Sequence, residues 1–550
     1  MFNFINKVFE KALTIKRLLS ISTIEFEIYQ HFKKAPKQSQ YSNDVVLVQS
    51  VEDLFYLGLF GQIVTSLREQ HSIRVEQFVL RSLSVGEAKS FWAFIKSRFF
   101  TNTLHYRKWV RLYNAYCDGI GYNSTSFQPL NDLIDLYRAW TCWNKLNTKK
   151  ALIDFVIDSV PVGDLVNDSF LRFKPAATVH LKNNYLLVLL WQAYRDVRRA
   201  KNYFDHVKPK LYLTSYSTYI QHGIAVRVAL QSGVRVFSFG NYQEFAKELT
   251  LLDWVHTKNP DTYADEFSKL DLHEEKLALA DAALSSRMAG IIDSATAYMK
   301  KSAYAESTEP VPNVDGAVII FLHDFFDSPH VYRSMVFPDF WEWVCFTIDT
   351  LKRQNIPFFV KPHPNQISLS DSVLGELKQH YPELLEIPST ITNKQLADAG
   401  MACAVTVYGT VAHEMAYLGV PTIACAHHPH ITFDICKTAK SKEEYALFLQ
   451  TCKDINIDKS KLRQQSLAFY YMHNLNINDE DRDLRDKVWG EFSTACKSYE
   501  KSHSLLKSLN EISVLPAYEA HILKWLAVIH EDASAVKTQK RAYSSRVSLR

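Results

Sequence analysis

Two loops in the second half of the chain carry residues suited to chemistry on a phosphate. Lys361-Pro362-His363-Pro364 closes the apolar run 356–360. Further on, Val407-Tyr408-Gly409-Thr410-Val411-Ala412-His413-Glu414 runs into Leu418-Gly419-Val420-Pro421-Thr422. Each half is an expected strand that stops at a polar loop, which is where ligands bind in an open parallel sheet. Prolines on both sides of His363 fix its backbone, so its ring can donate to a phosphate oxygen while Lys361 adds charge. The Gly409-Thr410 turn opens an expected helix, whose unpaired N–H groups and positive dipole end suit an anion. Thr410 is expected to cap that helix and to bond a phosphate oxygen. Glu414 lies one turn on, on the same face, where a carboxylate can accept from ribose hydroxyls. Ordinary capping accounts for each feature alone. Their combination, with Gly419-Val-Pro-Thr expected to bring helix and strand close together, points to a binding site.

A third loop, His323-Asp-Phe-Phe-Asp-Ser-Pro-His330, is expected at the same end of the sheet. His323, Asp327 and Ser328 read as hydrogen-bonding groups for a ligand. Their spacing lacks the fixed helical offset of a metal set, and a polar loop satisfied by its own Asx turns is the plain alternative. A general base for an acceptor hydroxyl is expected in the first half, from His222, Glu244 or Asp253. Spacing favours none of the three. The chain has no G-x-S-x-G, no Walker loop and no G-x-G-x-x-G, so hydrolase, NTPase and dehydrogenase readings lose their main supports.

These loops need a scaffold, and the apolar runs supply one. Short buried-strand signatures stand at 45–48, 74–80, 211–214 and 234–239, separated by helical stretches and a polar loop at 215–223. Further strands are expected at 317–322, 357–360, 384–387, 403–407 and 422–426, again with helices between them. This β-turn-α-β rhythm predicts two parallel sheets, each covered by helices on both faces. Residues 88–150 are aromatic-rich and helical in period, residues 273–303 read as one long helix, and the chain from 442 on reads as helical. Pro310, Pro312 and three acidic residues make 304–316 the expected linker. The domains expected are an amphipathic segment 1–40, an α/β domain 41–303 with a helical insertion, the linker 304–316, a second α/β domain 317–470, and helices with a basic tail at 471–550.

At 550 residues the chain is too long for a single core. Its 63 Lys+Arg against 59 Asp+Glu leave a charge of +4, without the concentrated basic field of a nucleic-acid binder. The eight cysteines form no Cys-x-x-Cys pair and mostly lie in apolar runs. They read as reduced core residues of a cytoplasmic protein, with no metal site expected. No run reaches the ~18 apolar residues of a membrane span. The N-terminus is amphipathic, with Phe2, Ile5, Val8, Phe9, Ala12, Leu13, Ile15 and Leu19 on one face. Two readings stand: a helix packed on its own domain, or one lying on an anionic membrane surface. The basic tail after Asp532 is either a disordered end or a second contact with lipid.

Phe321–His330, Lys361-Pro-His-Pro364 and Tyr408-Gly-Thr-Val-Ala-His-Glu414 with Gly419-Val-Pro421 resemble the glycosyltransferases of bacterial capsule and surface-polysaccharide biosynthesis, a group that includes the Kdo transferases. The resemblance covers 317–426 well and 205–245 loosely. It implies the GT-B fold: two Rossmann-like doubly wound α/β domains facing across a cleft, here with extra N- and C-terminal helices. It implies a CMP- or other NDP-sugar donor held by the second domain, at Lys361, His363, Pro364, Tyr408, Gly409, Thr410 and Glu414, with His323, Asp327 and Ser328 alongside. It also implies metal-independent transfer without a cofactor, to a glycan or lipid-linked glycan acceptor, with no nucleic-acid partner. An amphipathic N-terminus would suit work at the inner face of the cell membrane. Two rival readings share the fold: a CDP-polyol phosphotransferase of teichoic-acid type, and a non-catalytic assembly protein.

Overall fold

The computed structural model describes residues 20–33, 44–126, 128–291, 304, 308–363, 366, 370–498 and 502–531. The chain forms two compact units, one of Met1–Ser169, Leu181–Thr257 and Asn478–Arg550, the other of Phe170–His180 and Lys258–Ile477.

The first unit holds β1 (Val45–Gln49), β2 (Arg74–Val79), β3 (Gly119–Asn123), β4 (Val156–Ile157), β5 (Val160–Pro161), β6 (Leu211–Thr214), β7 (Arg235–Ser238) and β8 (Lys247–Leu249). β4 and β5 pair as a small antiparallel ribbon. The other strands form one sheet in the order β3-β2-β1-β6-β7-β8. All its pairings are parallel except that of β8 with β7. Every residue of β1 is buried, as expected of a strand covered on both faces. Val46, Val48, Leu211 and Leu213 pack with Leu59, Phe60 and Ile63 of the helix Leu54–Gln70 and with Ile522 and Trp525 of the helix Pro516–His530. On the other face, Phe78 lies against Phe204 and Tyr212. Each such side chain, fully buried, contributes about 1.5–3 kcal/mol.

The second unit holds β9 (Val318–Phe321), β10 (Phe358–Lys361), β11 (Cys403–Val405), β12 (Thr422–Ala424) and β13 (Lys437–Thr438). They form an all-parallel sheet in the order β10-β9-β11-β12-β13. Alternation along β9 feeds two cores. Val318 and Ile320 join Trp343, Val344 and Ile348 of the helix Phe340–Arg353, while Ile319 and Phe321 join Leu396, Met415 and Val420. The chain leaves β9 for β10 on one side and returns to β11 on the other. The C-terminal ends of β9 and β11 therefore flank a switch in strand order, where open α/β sheets bind ligands. In the first unit the same switch falls between β1 and β6.

The architecture is α/β with two Rossmann-like, doubly wound sheets, as read from the sequence. Several details differ. Residues 88–150 contain β3, whose Gly119-Ile-Gly-Tyr-Asn has too few apolar residues to read as a strand. Residues 384–387 make only a single bridge, Val360 with Glu386. The helix Tyr219–Ser232 starts inside the polar loop 215–223, so His222 is helical. The segments 170–180 and 258–291 belong with the second unit and not with the rest of the expected first α/β domain, and the helices from Asn478 on complete the first unit's core. Among the described residues no single helix is long and apolar enough to cross a membrane. The amphipathic segment 1–19 and the tail 532–550 lie outside the described residues, as do most of 292–307.

Candidate functional site

A pocket of about 120 Å³ opens at the C-terminal ends of β9, β10 and β11, lined by His323, Lys361, Pro362, His363, Asn393, Thr406, Gly409, Thr410 and Glu414, with Tyr304 at its edge. The strands stop and the side chains past their ends converge. Lys361 is the last residue of β10 and is 4% exposed. Burial lowers its pKa to about 8, against the opposing pull of Glu414. Burial also lowers the pKa of His363, which Asp324 partly offsets, so at neutral pH the ring is an N–H donor and not a cation.

Glu414 is 4% exposed. Its Oε1 accepts the Tyr304 hydroxyl at 2.6 Å and its Oε2 accepts the Asn393 amide at 2.6 Å. Burial pushes its pKa up, and Tyr304, Arg287, Asn393 and Lys361 pull it back. Asn393 is held by its own helix, whose Thr392–Gln395 capping box fixes the first turn. Glu414 is thus a braced pocket wall and not a solvated carboxylate.

Thr406 is a site residue that the sequence reading missed. Its Oγ1 accepts the Gly409 N–H at 3.3 Å and pairs with His323 Nε2 at 3.0 Å. It does at the turn what Thr410 was expected to do. Thr410 begins the helix Val411–Tyr417 with φ −61° and ψ −16° and makes no side-chain cap. It lines the pocket all the same. A Cβ on Gly409 would stand 2.8 Å from Thr406 Oγ1, so glycine keeps the turn tight. The signal for Thr406 was present: Thr followed by Gly three residues later, at a strand end.

Other expected ligand groups have structural work, although His323 also lines the pocket. His323 Nε2 accepts the Val407 N–H at 3.2 Å. Its ring stacks on Phe340 at 4.6 Å and lies 4.7 Å from Tyr408. Tyr408 is buried, donates to the Ser328 carbonyl at 3.2 Å and lies off the pocket. Asp327 bonds the Ser328 N–H, and neither lines the pocket. These groups are the packing that holds the strand ends in register. Gly419 answers a different need from the close approach expected of it. It sits at φ +75° after the helix, where Val420 N–H bonds the Met415 carbonyl and ends the helix in a left-handed turn. Pro364 lies outside the described residues.

The three expected bases in the first unit are all engaged, and none lines this pocket. His222 pairs with the Gln49 amide through Nδ1 at 2.7 Å and with Gln221 through Nε2 at 3.0 Å. Burial lowers its pKa to about 4. Glu244 accepts from Asn241 at 3.0 Å, and Asp253 is ion-paired with Lys247 at 2.8 Å. A cavity of about 310 Å³ does open in this unit, past the ends of β1, β6 and β7. Glu52, Asp53, Trp109, Tyr216, Tyr242 and Trp489 line it. Asp53 caps the helix Leu54–Gln70 through its bond to Phe55 N–H at 2.7 Å. Tyr242 and Trp489 stand 4.9 Å apart. Trp489 lies more than 400 residues from Asp53 in sequence, so local reading had no means of joining them.

Fold and site define an open, doubly wound α/β protein whose second unit gathers a lysine, an imidazole, a threonine and a carboxylate at a strand-order switch. No protein-family model and no curated protein matches the chain. Among solved structures it is similar to Thermosulfurimonas dismutans KpsC, a beta Kdo 2,4 transferase, at 12% identity over 48% of this chain and 79% of that one, with TM-score 0.29. It is similar to the UDP-GlcNAc 2-epimerase of Methanocaldococcus jannaschii at 8% identity, over 77% and 97%, with TM-score 0.23. It is similar to the wall teichoic acid polymerase TagF at 9% identity, over 90% and 98%, with TM-score 0.19. Likeness this loose says nothing about the site, which rests on its own residues.

Proposed function

We propose that the chain is a glycosyltransferase that moves a sugar from a nucleotide-sugar donor to a surface-polysaccharide or lipid-linked glycan acceptor. The observation that carries the reading is the convergence of Lys361, His363, Gly409, Thr410 and Glu414 on one pocket at the strand-order switch. Transfer needs charge stabilised on the departing phosphate. Lys361, the His363 N–H and the Thr410 hydroxyl are suited to it, in a partly buried site where each counts for more than in water. The Glu414 carboxylate accepts one bond at each oxygen and has lone pairs left for a ribose hydroxyl.

The acceptor hydroxyl attacks the anomeric carbon, the bond to the donor phosphate breaks, and a base takes the hydroxyl proton. The aromatic cavity of the first unit supports the acceptor role. Tyr242, Tyr216 and Trp489 suit sugar faces, and Glu52 and Asp53 suit sugar hydroxyls. Asp53, oriented by its cap, is a further candidate base beside His222, Glu244 and Asp253. The same reading has the protein working in the cytoplasm in peripheral contact with the membrane.

A thermal-shift panel of CMP, CDP, UDP and GDP tests the donor site. At about 100 times Kd the matching nucleotide should stabilise the protein by roughly 2.7 kcal/mol. His363→Ala and Glu414→Ala should each remove that shift, and full activity and affinity in both would overturn the site. Product mass separates the chemistries, since an added sugar supports the reading and an added polyol phosphate replaces it. No shift with any nucleotide would favour a non-catalytic protein.

A further inference from the structure

The loop between β12 and β13 carries a group of side chains that the pocket does not use. His428, Pro429 and His430 lie near its start and Cys436 at its end. His428 and His430 are 1% and 0% exposed. Their rings stack with centroids 3.8 Å apart and planes inclined by 23°. Both turn Nε2 toward one sulfur: Cys436 Sγ is 3.4 Å from His428 Nε2 and 3.4 Å from His430 Nε2. All three atoms lie within 4.8 Å of one another.

The spacing is informative. A tetrahedral zinc ion with Zn–S of about 2.3 Å and Zn–N of about 2.05 Å puts its sulfur and nitrogen ligands about 3.5 Å apart. The two S–N separations match this distance. Hydrogen bonding alone can satisfy the two Nε2 atoms by choice of tautomer, with Thr438 Oγ1 also 2.7 Å from His428 Nε2, but it leaves the outer nitrogens unmet. His428 Nδ1 and His430 Nδ1 have no hydrogen-bond partner among the described residues. Buried polar groups left this way cost about 1–3 kcal/mol each. A thiolate and two neutral imidazoles are soft-to-borderline ligands that select zinc over magnesium or calcium.

We propose that His428, His430 and Cys436 form a zinc site that pins the β12–β13 loop of the second unit. Three protein ligands leave a fourth position. Thr438 Oγ1 lies beside it, 2.7 Å from His428 Nε2 and 3.5 Å from Cys436 Sγ. At 2.7 Å from a ligating nitrogen the hydroxyl is too close to be a ligand where it stands, so a water bonded to Thr438 fills the place. The ion stands apart from the donor pocket, whose lining includes none of the three residues. Its role is to hold the loop, and sugar transfer does not route through it. A C-x-x-C pattern is absent from the sequence. The set is legible only once β13 brings Cys436 back to the paired histidines.

The test is metal binding by the full chain. Purified protein dialysed against Zn2+ should retain one zinc per chain by elemental analysis. Replacing zinc with Co2+ should give a thiolate-to-cobalt charge-transfer band and the intense visible bands of a tetrahedral ion. Cys436→Ser should abolish the charge-transfer band, and His430→Gln should weaken zinc binding at least tenfold. Wild-type protein that retains no zinc, or Co2+ bound without the charge-transfer band, overturns the site, as does a band that survives in Cys436→Ser. Should the variants fail to fold, alkylation of wild-type protein decides. Stoichiometric Zn2+ should protect Cys436 from iodoacetamide, read by peptide mass, and equal labelling with and without zinc overturns the proposal.

Discussion

The imidazole of His323 accepts the backbone N–H of Val407 at 3.2 Å, joining the loop after β9 to the loop after β11. The ring must carry its proton on Nδ1 for Nε2 to accept. Burial, with His363 adding to it, lowers the His323 pKa to about 3, so the acceptor form persists at physiological pH. The pocket thus rests on a neutral histidine whose Nε2 is already engaged by Val407 N–H and Thr406 Oγ1. His323→Ala leaves the Val407 N–H without its partner beneath the pocket. It should cost about 1–3 kcal/mol, read as a lower urea midpoint at unchanged slope. An unchanged midpoint would show that the bond does not hold the strand ends.

Buried neutral histidines also set the response to acid. His222, His256 and His323 have pKa values lowered by burial to about 4, about 3 and about 3. The unfolded chain binds protons near pH 6.5 and the folded one does not. Between those values the unfolded state holds more protons, so stability rises with pH and is lost as pH falls from about 6.5 toward about 3. Urea midpoints measured across pH 7.5 to 4 should decline, and less steeply in His256→Asn. A flat profile would mean these rings titrate alike in the folded and unfolded states.

Lys361 gives a limb of opposite sense. In the proposed reading its charge serves the donor phosphate, and its pKa is lowered to about 8. For the free enzyme, kcat/KM for the donor should fall as pH rises through about 8. Bound phosphate favours the ammonium, so the kcat limb should lie higher. Lys361→Met should lose activity and the limb together. A limb that survives the substitution belongs to another group.

Much of this was legible in the sequence because it is local. Val45-Val-Leu-Val and Val318-Ile-Ile-Phe declare buried parallel strands, and Lys361-Pro-His363 and Gly409-Thr410 declare their polar ends. What escaped is what distance in sequence hides. Tyr304 and Asn393 brace Glu414 from 110 and 21 residues away. Trp489 closes the cavity that begins at Asp53. Tyr408 looks like a ligand group by residue type, and only its packing against Phe340, off the pocket, shows it committed to structure.

The aromatic cavity makes a separable prediction. Tyr242 is 43% exposed at its rim and Trp489 lies behind it. Tyr242→Ala should raise KM for the glycan acceptor several-fold, consistent with about 0.5–1.5 kcal/mol for an aromatic contact. Nucleotide affinity should be unchanged, since Tyr242 lies outside the donor pocket. Equal loss in both would assign Tyr242 a general structural role.

The helix Pro129–Lys145 is inverted in its polarity. Its carboxylates Asp132 and Asp135 are buried, bonded to Arg198 and, for Asp132, also to Arg199. Its apolar side chains face out: Leu130, Leu133, Ile134, Tyr137 and Trp140 are between 51% and 78% exposed. Offsets of three, four, seven and ten place them on one stripe. A stripe of this size exposed beside Arg138 and Lys145 suits an anionic lipid surface. The chain should co-sediment with vesicles containing phosphatidylglycerol. Leu133→Glu combined with Tyr137→Glu should reduce partitioning roughly tenfold, ~1.4 kcal/mol. The thermal midpoint should hold, because both side chains already face solvent. Undiminished binding by the double variant would place any membrane contact elsewhere on the chain.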